Sequence, residues 1–289
     1  MLPEFTVQWY PGHMAKAKRA MQESLNLVDL IIEVRDARAP LASSNPNLDI
    51  IGKDKERLIL LNKADLAEER VTRMWQLLYP EMLIFSSKSV KHKKRLQEEL
   101  NKTAQKIKAD WLAKNKGLRP FRALVLGMPN VGKSTLINTL ATTAKAKTGQ
   151  KPGVTRAKQW LTLPNNWQLL DTPGIMMPEE VKGQTALCLA LINCLDEKLY
   201  DPELAALHFI VWLQKNYPQA LLSRYKLEFV NHSEPRVVLE EIGKKRGAVL
   251  SGGVVDTNKA AYTLLKDFRQ GFLGSISLEK PLVSEEYTL

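Results

Sequence analysis

Gly127-Met128-Pro129-Asn130-Val131-Gly132-Lys133-Ser134 has the spacing G-x-x-x-x-G-K-[ST], and it lies between an apolar run at 121–126 and a helical pattern at 134–140. No other feature restricts the fold as much. A buried strand that ends in such a loop and turns straight into a helix is the unit of a parallel α/β sheet. Each residue type has a task. Glycines let the backbone approach anionic oxygens without an intervening Cβ. The turned N–H groups of Val131, Gly132 and their neighbours, with the helix N-terminus that Ser134 and Thr135 begin, form a cradle for phosphate. Lys133 is expected at the β- and γ-phosphates, and the Ser134 hydroxyl on Mg²⁺.

Around this loop the chain alternates short apolar runs (27–34, 57–61, 82–85) and two further expected strands (157–163, 167–170) with helical patterns at 68–78 and 90–114. Short buried strands alternating with helices mean an α/β class with a mostly parallel sheet and helices on both sides. After about residue 178 the pattern becomes helical, at 179–199, 202–216, 235–246 and 257–272. The expected organisation is an α/β domain with an N-terminal basic segment at 1–177, an all-helical domain at 178–280 and a tail at 281–289.

The base is chosen elsewhere. Asn62-Lys63-Ala64-Asp65 follows the run at 57–61 and so stands at a strand's C-terminal end, where open α/β sheets bind ligands. The Asp65 carboxylate can accept from both N1–H and the exocyclic amine of guanine. Adenine offers neither donor and would leave the carboxylate unpaired, which discriminates strongly. Asn62 can bond the other edge of the base, and the Lys63 stem can pack over the ring. Ser86-Ser87-Lys88, after the run at 82–85, resembles the [ST]-A-K element that backs guanine with a backbone N–H, with Ser87 where alanine is usual. GTP and GDP are therefore the expected ligands.

Asp171-Thr172-Pro173-Gly174 matches D-x-x-G at the end of the run at 167–170. Asp171 is expected at Mg²⁺ through water, and the Gly174 N–H at the γ-phosphate. Thr155, in a glycine-flanked loop, is expected to supply the second hydroxyl on Mg²⁺. These two segments would be ordered by triphosphate and released on hydrolysis. Ile175 follows Gly174 where many GTPases carry a water-orienting glutamine, and isoleucine cannot hydrogen-bond water. Another group has to help. His13, in Pro11-Gly12-His13-Met14, could position water, or could be a structural histidine beside Trp9 and Tyr10.

The order of these motifs is rotated: the base-reading elements precede the phosphate loop, and the two switches follow it. Joining the old termini and cutting elsewhere leaves the site intact, and it makes the second switch run directly into the helical domain. This order, with Asp36-Ala37-Arg38-Ala39-Pro40 before Asn62-Lys63-Ala64-Asp65 and the Pro11-Gly12-His13-Met14 start, resembles the YlqF/YawG family of circularly permuted GTPases over essentially the whole chain. The resemblance implies GTP hydrolysis coupled to maturation of the large ribosomal subunit, and a C-terminal helical domain similar to RNA-binding antitermination domains. It implies phosphate and base roles for Asn62, Lys63, Asp65, Gly127, Asn130, Gly132, Lys133, Ser134, Thr155, Asp171 and Gly174, and it places the family's histidine at His13. Asn130 in G-x-P-N-x-G-K-S resembles the asparagine of GTPases that bind K⁺ beside the phosphates. The alternative for Asn130 is a loop asparagine satisfied by backbone.

Charge and cysteines complete the reading. The chain has 42 Lys+Arg against 31 Asp+Glu, a net charge of +11, which fits a polyanionic partner such as rRNA. Basic residues gather at Lys91, Lys93, Lys94 and Arg95, at Lys114, Lys116, Arg119 and Arg122, at Lys145, Lys147, Lys151, Arg156 and Lys158, and at Lys244, Lys245 and Arg246. Cys188 and Cys194, within one expected helix, form no metal or disulfide spacing and fit a reducing cytoplasm. No apolar run reaches the roughly 18 residues of a membrane span, and nothing at the N-terminus reads as a signal peptide. The expectation is a cytoplasmic monomer that hydrolyses GTP on a ribosomal subunit. The alternatives are a GTP-gated protein-binding switch with incidental hydrolysis, and a GTPase of tRNA modification or ion transport, against which the motif order argues.

Overall fold

The computed structural model describes residues 2–8, 22–45, 48, 52–53, 55–148, 160–163, 165–171, 180–228 and 233–282, with backbone alone at 142–148, 171 and 180. In chain order the elements are β1 (Thr6–Gln8), β2 (Leu30–Asp36), β3 (Glu56–Asn62), α1 (Glu69–Leu78), β4 (Met82–Ile84), α2 (Val90–Ala113), β5 (Phe121–Gly127), α3 (Lys133–Thr148), β6 (Trp160–Leu163), β7 (Trp167–Asp171) and β8 (Glu180–Lys182). Then come α4 (Gly183–Leu191), α5 (Pro202–Asn216), α6 (Pro218–Tyr225), α7 (Pro235–Lys245) and α8 (Thr257–Gln270).

Six strands form one sheet in the order β4-β3-β2-β5-β7-β6. All neighbours are parallel except β6 against β7. The register brings Asp36 opposite Asn62, Val34 opposite Gly127 and Val125 opposite Asp171. The guanine-motif strand, the phosphate-loop strand and the Asp171 strand therefore end at the same edge.

The pleat sorts side chains between the two faces. Ile32, Val34, Leu60, Ala123 and Val125 join the main core. Their neighbours Ile31, Leu124 and Leu126 pack with Leu25, Val28 and Leu48, and Ile59 and Leu61 pack with Val71 and Trp75. β2, flanked by β3 and β5, is buried along its whole length, charges included: Glu33 is held by Arg35 and Arg57. In α2, Leu96, Leu100, Ala104, Ile107 and Trp111 recur at helical spacing and are buried, so this very basic helix still has one apolar face. Burying each such Leu or Ile contributes roughly 1.5–3 kcal/mol. Trp111 stacks on Phe121, their ring centroids 5.3 Å apart.

The expected helix at 179–199 is corrected. Residues 180–182 form β8, antiparallel to β1, and α4 ends at Leu191. Asn193 adopts a left-handed conformation (φ 65°), and the Cys194 N–H returns to the Leu189 carbonyl at 2.8 Å while the Asn193 N–H bonds Ala190. That is the Schellman stop. Cys194 consequently lies beyond the helix; both thiols are free and buried, and burial pushes the Cys194 thiol up to about 12. The helix α6 was not expected; Pro218 supplies its first turn, where the missing N–H costs nothing. α5 and α8 begin as their capping aspartates suggest, Asp201 accepting from the Glu203 N–H and Asp256 from the Lys259 N–H. No helix among the described residues is long and apolar enough to cross a membrane.

Candidate functional site

The phosphate loop runs from β5 into α3, between an expected strand and an expected helix. Gly132 has φ 101°, and a Cβ there would run into the Asn62 amide; one at Gly127 would run into the Val34 carbonyl. Only glycine fits either position. The buried Lys133 ammonium donates to the Met128 carbonyl at 2.8 Å, so it is folded back over its own loop. Ser134 and Thr135 are exposed on the first turn of α3. An exposed hydroxyl at a helix N-terminus presents a hard oxygen ligand, and Asp171 ends the strand beside β5; hydroxyl and carboxylate oxygens are the donor set Mg²⁺ takes.

The loop after β3 is pinned to the phosphate loop. The Asn62 amide donates to the Val131 carbonyl at 2.8 Å. Lys63, in the left-handed region (φ 59°), donates to the Asn130 carbonyl at 2.7 Å and to Asp36 Oδ2 at 3.0 Å. The Ala64 N–H bonds the Phe85 carbonyl, which ties this loop to the segment after β4. There the Ser86 hydroxyl and the Lys88 ammonium each donate to Asp65, both at 2.7 Å. Burial opposes ionisation of Asp65, but Lys88 and Ser86 outweigh it and hold the carboxyl below its usual range. Asp65 is thus an ionised acceptor near the surface, the state that guanine recognition needs. Ser87 is half-buried between the two.

The structure therefore brings Asn62, Lys63, Asn130 and Val131 into direct contact, with Asp65, Ser86 and Lys88 adjoining. The Asn130 side-chain amide donates to the Asn193 carbonyl at 2.8 Å. Its nitrogen is taken by backbone, leaving Oδ1 as the atom of that side chain able to ligate K⁺. His13, Thr155 and Gly174 lie outside the described residues, as do Lys151, Arg156 and Lys158, and the side chains of Asp171, Lys145 and Lys147.

Two participants were not named as site residues from sequence. Asp36 ends β2 and is fully buried; Arg38 grips it through two 2.9 Å hydrogen bonds while Lys63 also bonds its Oδ2. Burial penalises that charge, yet the two cations hold the carboxyl far below the usual carboxylate range. The signal was present, an Asp-x-Arg at the charged end of an apolar strand, but strand and loop charges usually face solvent. Asn193 carried no signal.

A model of the 50S ribosome-binding GTPase family matches residues 122–220, from the phosphate-loop strand onward. Ribosome biogenesis GTPase A of Bacillus licheniformis is 40% identical over 285 residues, covering 95% of this chain and 98% of that protein. The protein of the same name from Thermotoga maritima is 34% identical, covering 95% of each. The crystal structure of GNP-bound YlqF from T. maritima superposes with a TM-score of 0.65 at 30% identity, covering 92% of this chain and 98% of that one. With its N-K-x-D loop ahead of its phosphate-loop motif and both on one sheet edge, the chain belongs to the YlqF/YawG family of circularly permuted GTPases, the family of ribosome biogenesis GTPase A, and is a GTP hydrolase.

Proposed function

We propose that this GTPase holds GTP between the loops at 62–65 and 127–135 and uses its hydrolysis in assembly of the large ribosomal subunit. One observation carries the nucleotide site: the Asn62–Val131 and Lys63–Asn130 hydrogen bonds lock the base loop to the phosphate loop. One ligand then spans both. Asp65 receives the guanine edge, exchanging Lys88 and Ser86 for two ligand N–H donors. Lys133 swings from Met128 to the β- and γ-phosphates. Ser134 and Thr155, with Asp171 through water, would hold Mg²⁺, which would supply positive charge against the phosphates. Gly174 reads the γ-phosphate, and Asn130 Oδ1 would be the side-chain ligand for K⁺.

His13 is the group that orients water in place of the glutamine Ile175 cannot replace. The pairing Gln8↔Glu180 supports this, because the segments 9–21 and 172–179 leave the same end of the β1–β8 ribbon. The ribosomal role is supported by the names of the relatives, "Ribosome biogenesis GTPase A", and by the net charge of +11. Lys244, Lys245 and Arg246, exposed at the end of α7, and the exposed Lys91, Lys94 and Arg95 on α2 are the phosphate contacts proposed for rRNA, with residues 178–280 as the RNA-binding part. The proposed compartment is the cytoplasm and the proposed state a monomer.

The test is GTP hydrolysis by the purified protein in K⁺ and in Na⁺, with and without large ribosomal subunits. A low basal rate raised many-fold by the subunits is expected, along with faster turnover in K⁺. A rate that subunits leave unchanged would refute the ribosome-stimulated reading and favour a protein-binding switch.

A further inference from the structure

The carboxylate that holds Lys63 is shared with a residue locked to the other end of the chain. Arg38 is 1% exposed, and its guanidinium lies 4.8 Å from the centre of the Phe268 ring on α8 while it also donates to the Phe268 carbonyl at 3.4 Å. The Arg38 carbonyl accepts from the Leu278 N–H at 2.8 Å. The segment after α8 continues along the base-reading loop. The Ile276 N–H bonds the Leu66 carbonyl at 3.1 Å, Ser277 Oγ accepts from the Glu68 N–H at 3.1 Å, and Tyr217 donates to the Glu68 carboxylate at 2.7 Å. At the phosphate loop, Asn130 reaches the Asn193 carbonyl.

We propose that Arg38 is a positioning residue for guanine nucleotide, fixing Asp36 as the counter-ion of Lys63 and making nucleotide affinity depend on the seating of α8 and residues 271–279. The inference rests on the reading that Lys63 and Asp65 hold the guanine base. A buried carboxylate gripped by two cations has little freedom, because releasing either cation leaves charge uncompensated in a desolvated place. Arg38 cannot leave Phe268 without loosening Asp36, and Asp36 cannot shift without moving the Lys63 ammonium that it shares with the Asn130 carbonyl. Thermodynamic linkage makes the effect reciprocal: nucleotide binding tightens the C-terminal segment by the factor with which that segment tightens nucleotide. A partner that pulls α8 away would lower nucleotide affinity with no contact at the nucleotide.

Hydrogen–deuterium exchange on the full chain, with and without GDP, measures this directly. GDP is expected to slow exchange at 61–66 and 127–136 and also in α8 and at Ile276 and Leu278. Protection that stops at the nucleotide loops would overturn the proposal, and this arm needs no variant. Phe268→Leu removes the ring under the guanidinium, and Arg38→Lys keeps the charge but loses the planar fork. Each, shown folded by circular dichroism, is expected to raise the GDP dissociation constant about fivefold or more and to erase the GDP-dependent protection of α8. Wild-type affinity and protection in both would refute the coupling. Asp65→Asn separates the two ideas. Undiminished GDP affinity there refutes the reading of the base site. Lost GDP affinity there, with normal affinity in Phe268→Leu and Arg38→Lys, refutes the coupling alone.

Discussion

The side-chain amide of Asn62 donates to the carbonyl of Val131 at 2.8 Å, joining the end of β3 to the middle of the loop between β5 and α3. Both groups are buried. Asn62→Ala would leave that carbonyl without its donor, at a cost of about 1–3 kcal/mol. The dissociation constants of GDP and GTP are expected to rise together, by about 10- to 100-fold, in a calorimetric titration. A change confined to GTP would show that the contact serves the γ-phosphate instead.

Asp65 offers two acceptor oxygens near the surface. Asp65→Asn converts one of them to a donor, which suits xanthine, whose C2 carries an oxygen in place of the amine. Preference is expected to move from GDP towards XDP by about 100-fold or more, since an unpaired polar group at a base-reading site discriminates strongly. Competition between the two nucleotides checks it, and an unaltered preference would place the base elsewhere.

The proposed catalytic role of His13 separates chemistry from binding. His13→Ala is expected to lower kcat by about 10²–10⁴ with nucleotide affinity within a few-fold of the parent. Single-turnover hydrolysis with large subunits present is the measurement. Lys133→Ala, in contrast, should weaken binding of triphosphate and diphosphate alike.

Asp36 gives a pH dependence with a definite sign. Its folded carboxyl lies far below the ordinary 3.8, so the folded chain keeps this group ionised where the unfolded chain begins to protonate it. Its contribution is complete well above the ordinary value and is lost progressively as pH falls from about 5 towards the folded value. Urea unfolding at several pH values should show stability falling through this window, and falling less steeply in Asp36→Asn. A parallel pH profile in that variant would remove Asp36 from the account.

On α2, Leu96→Ala leaves a cavity beneath the sheet, because Leu96 is fully buried in the main core. A loss of about 2–5 kcal/mol is expected in denaturant unfolding. The exposed Lys94→Ala on the same helix should change stability by less than about 0.5 kcal/mol.

Local chemistry made much of this protein legible from its sequence. The phosphate loop needs glycine where a Cβ would meet the Asn62 amide or the Val34 carbonyl, and those glycines stand at fixed spacing. Short apolar runs marked β2, β3, β5 and β7, and Asn62, Lys63, Asp65 and Lys133 stand at the strand ends and turns where they were expected. The break at Asn193 was not legible. A left-handed asparagine inside an apolar stretch is chosen by how α4 must stop against its neighbours, and only the folded chain shows that its carbonyl receives Asn130. Nor could spacing reveal that Asp36 serves Lys63 and Arg38 at once, or that Phe268, 230 positions from Arg38, closes over the guanidinium. Sequence determined the phosphate loop, the base-reading motif and the rotated order, because backbone sterics and hydrogen-bonding chemistry act over a few residues. Tertiary structure alone decided which buried charges share a partner, because desolvation and ion pairing depend on what the whole chain packs around them.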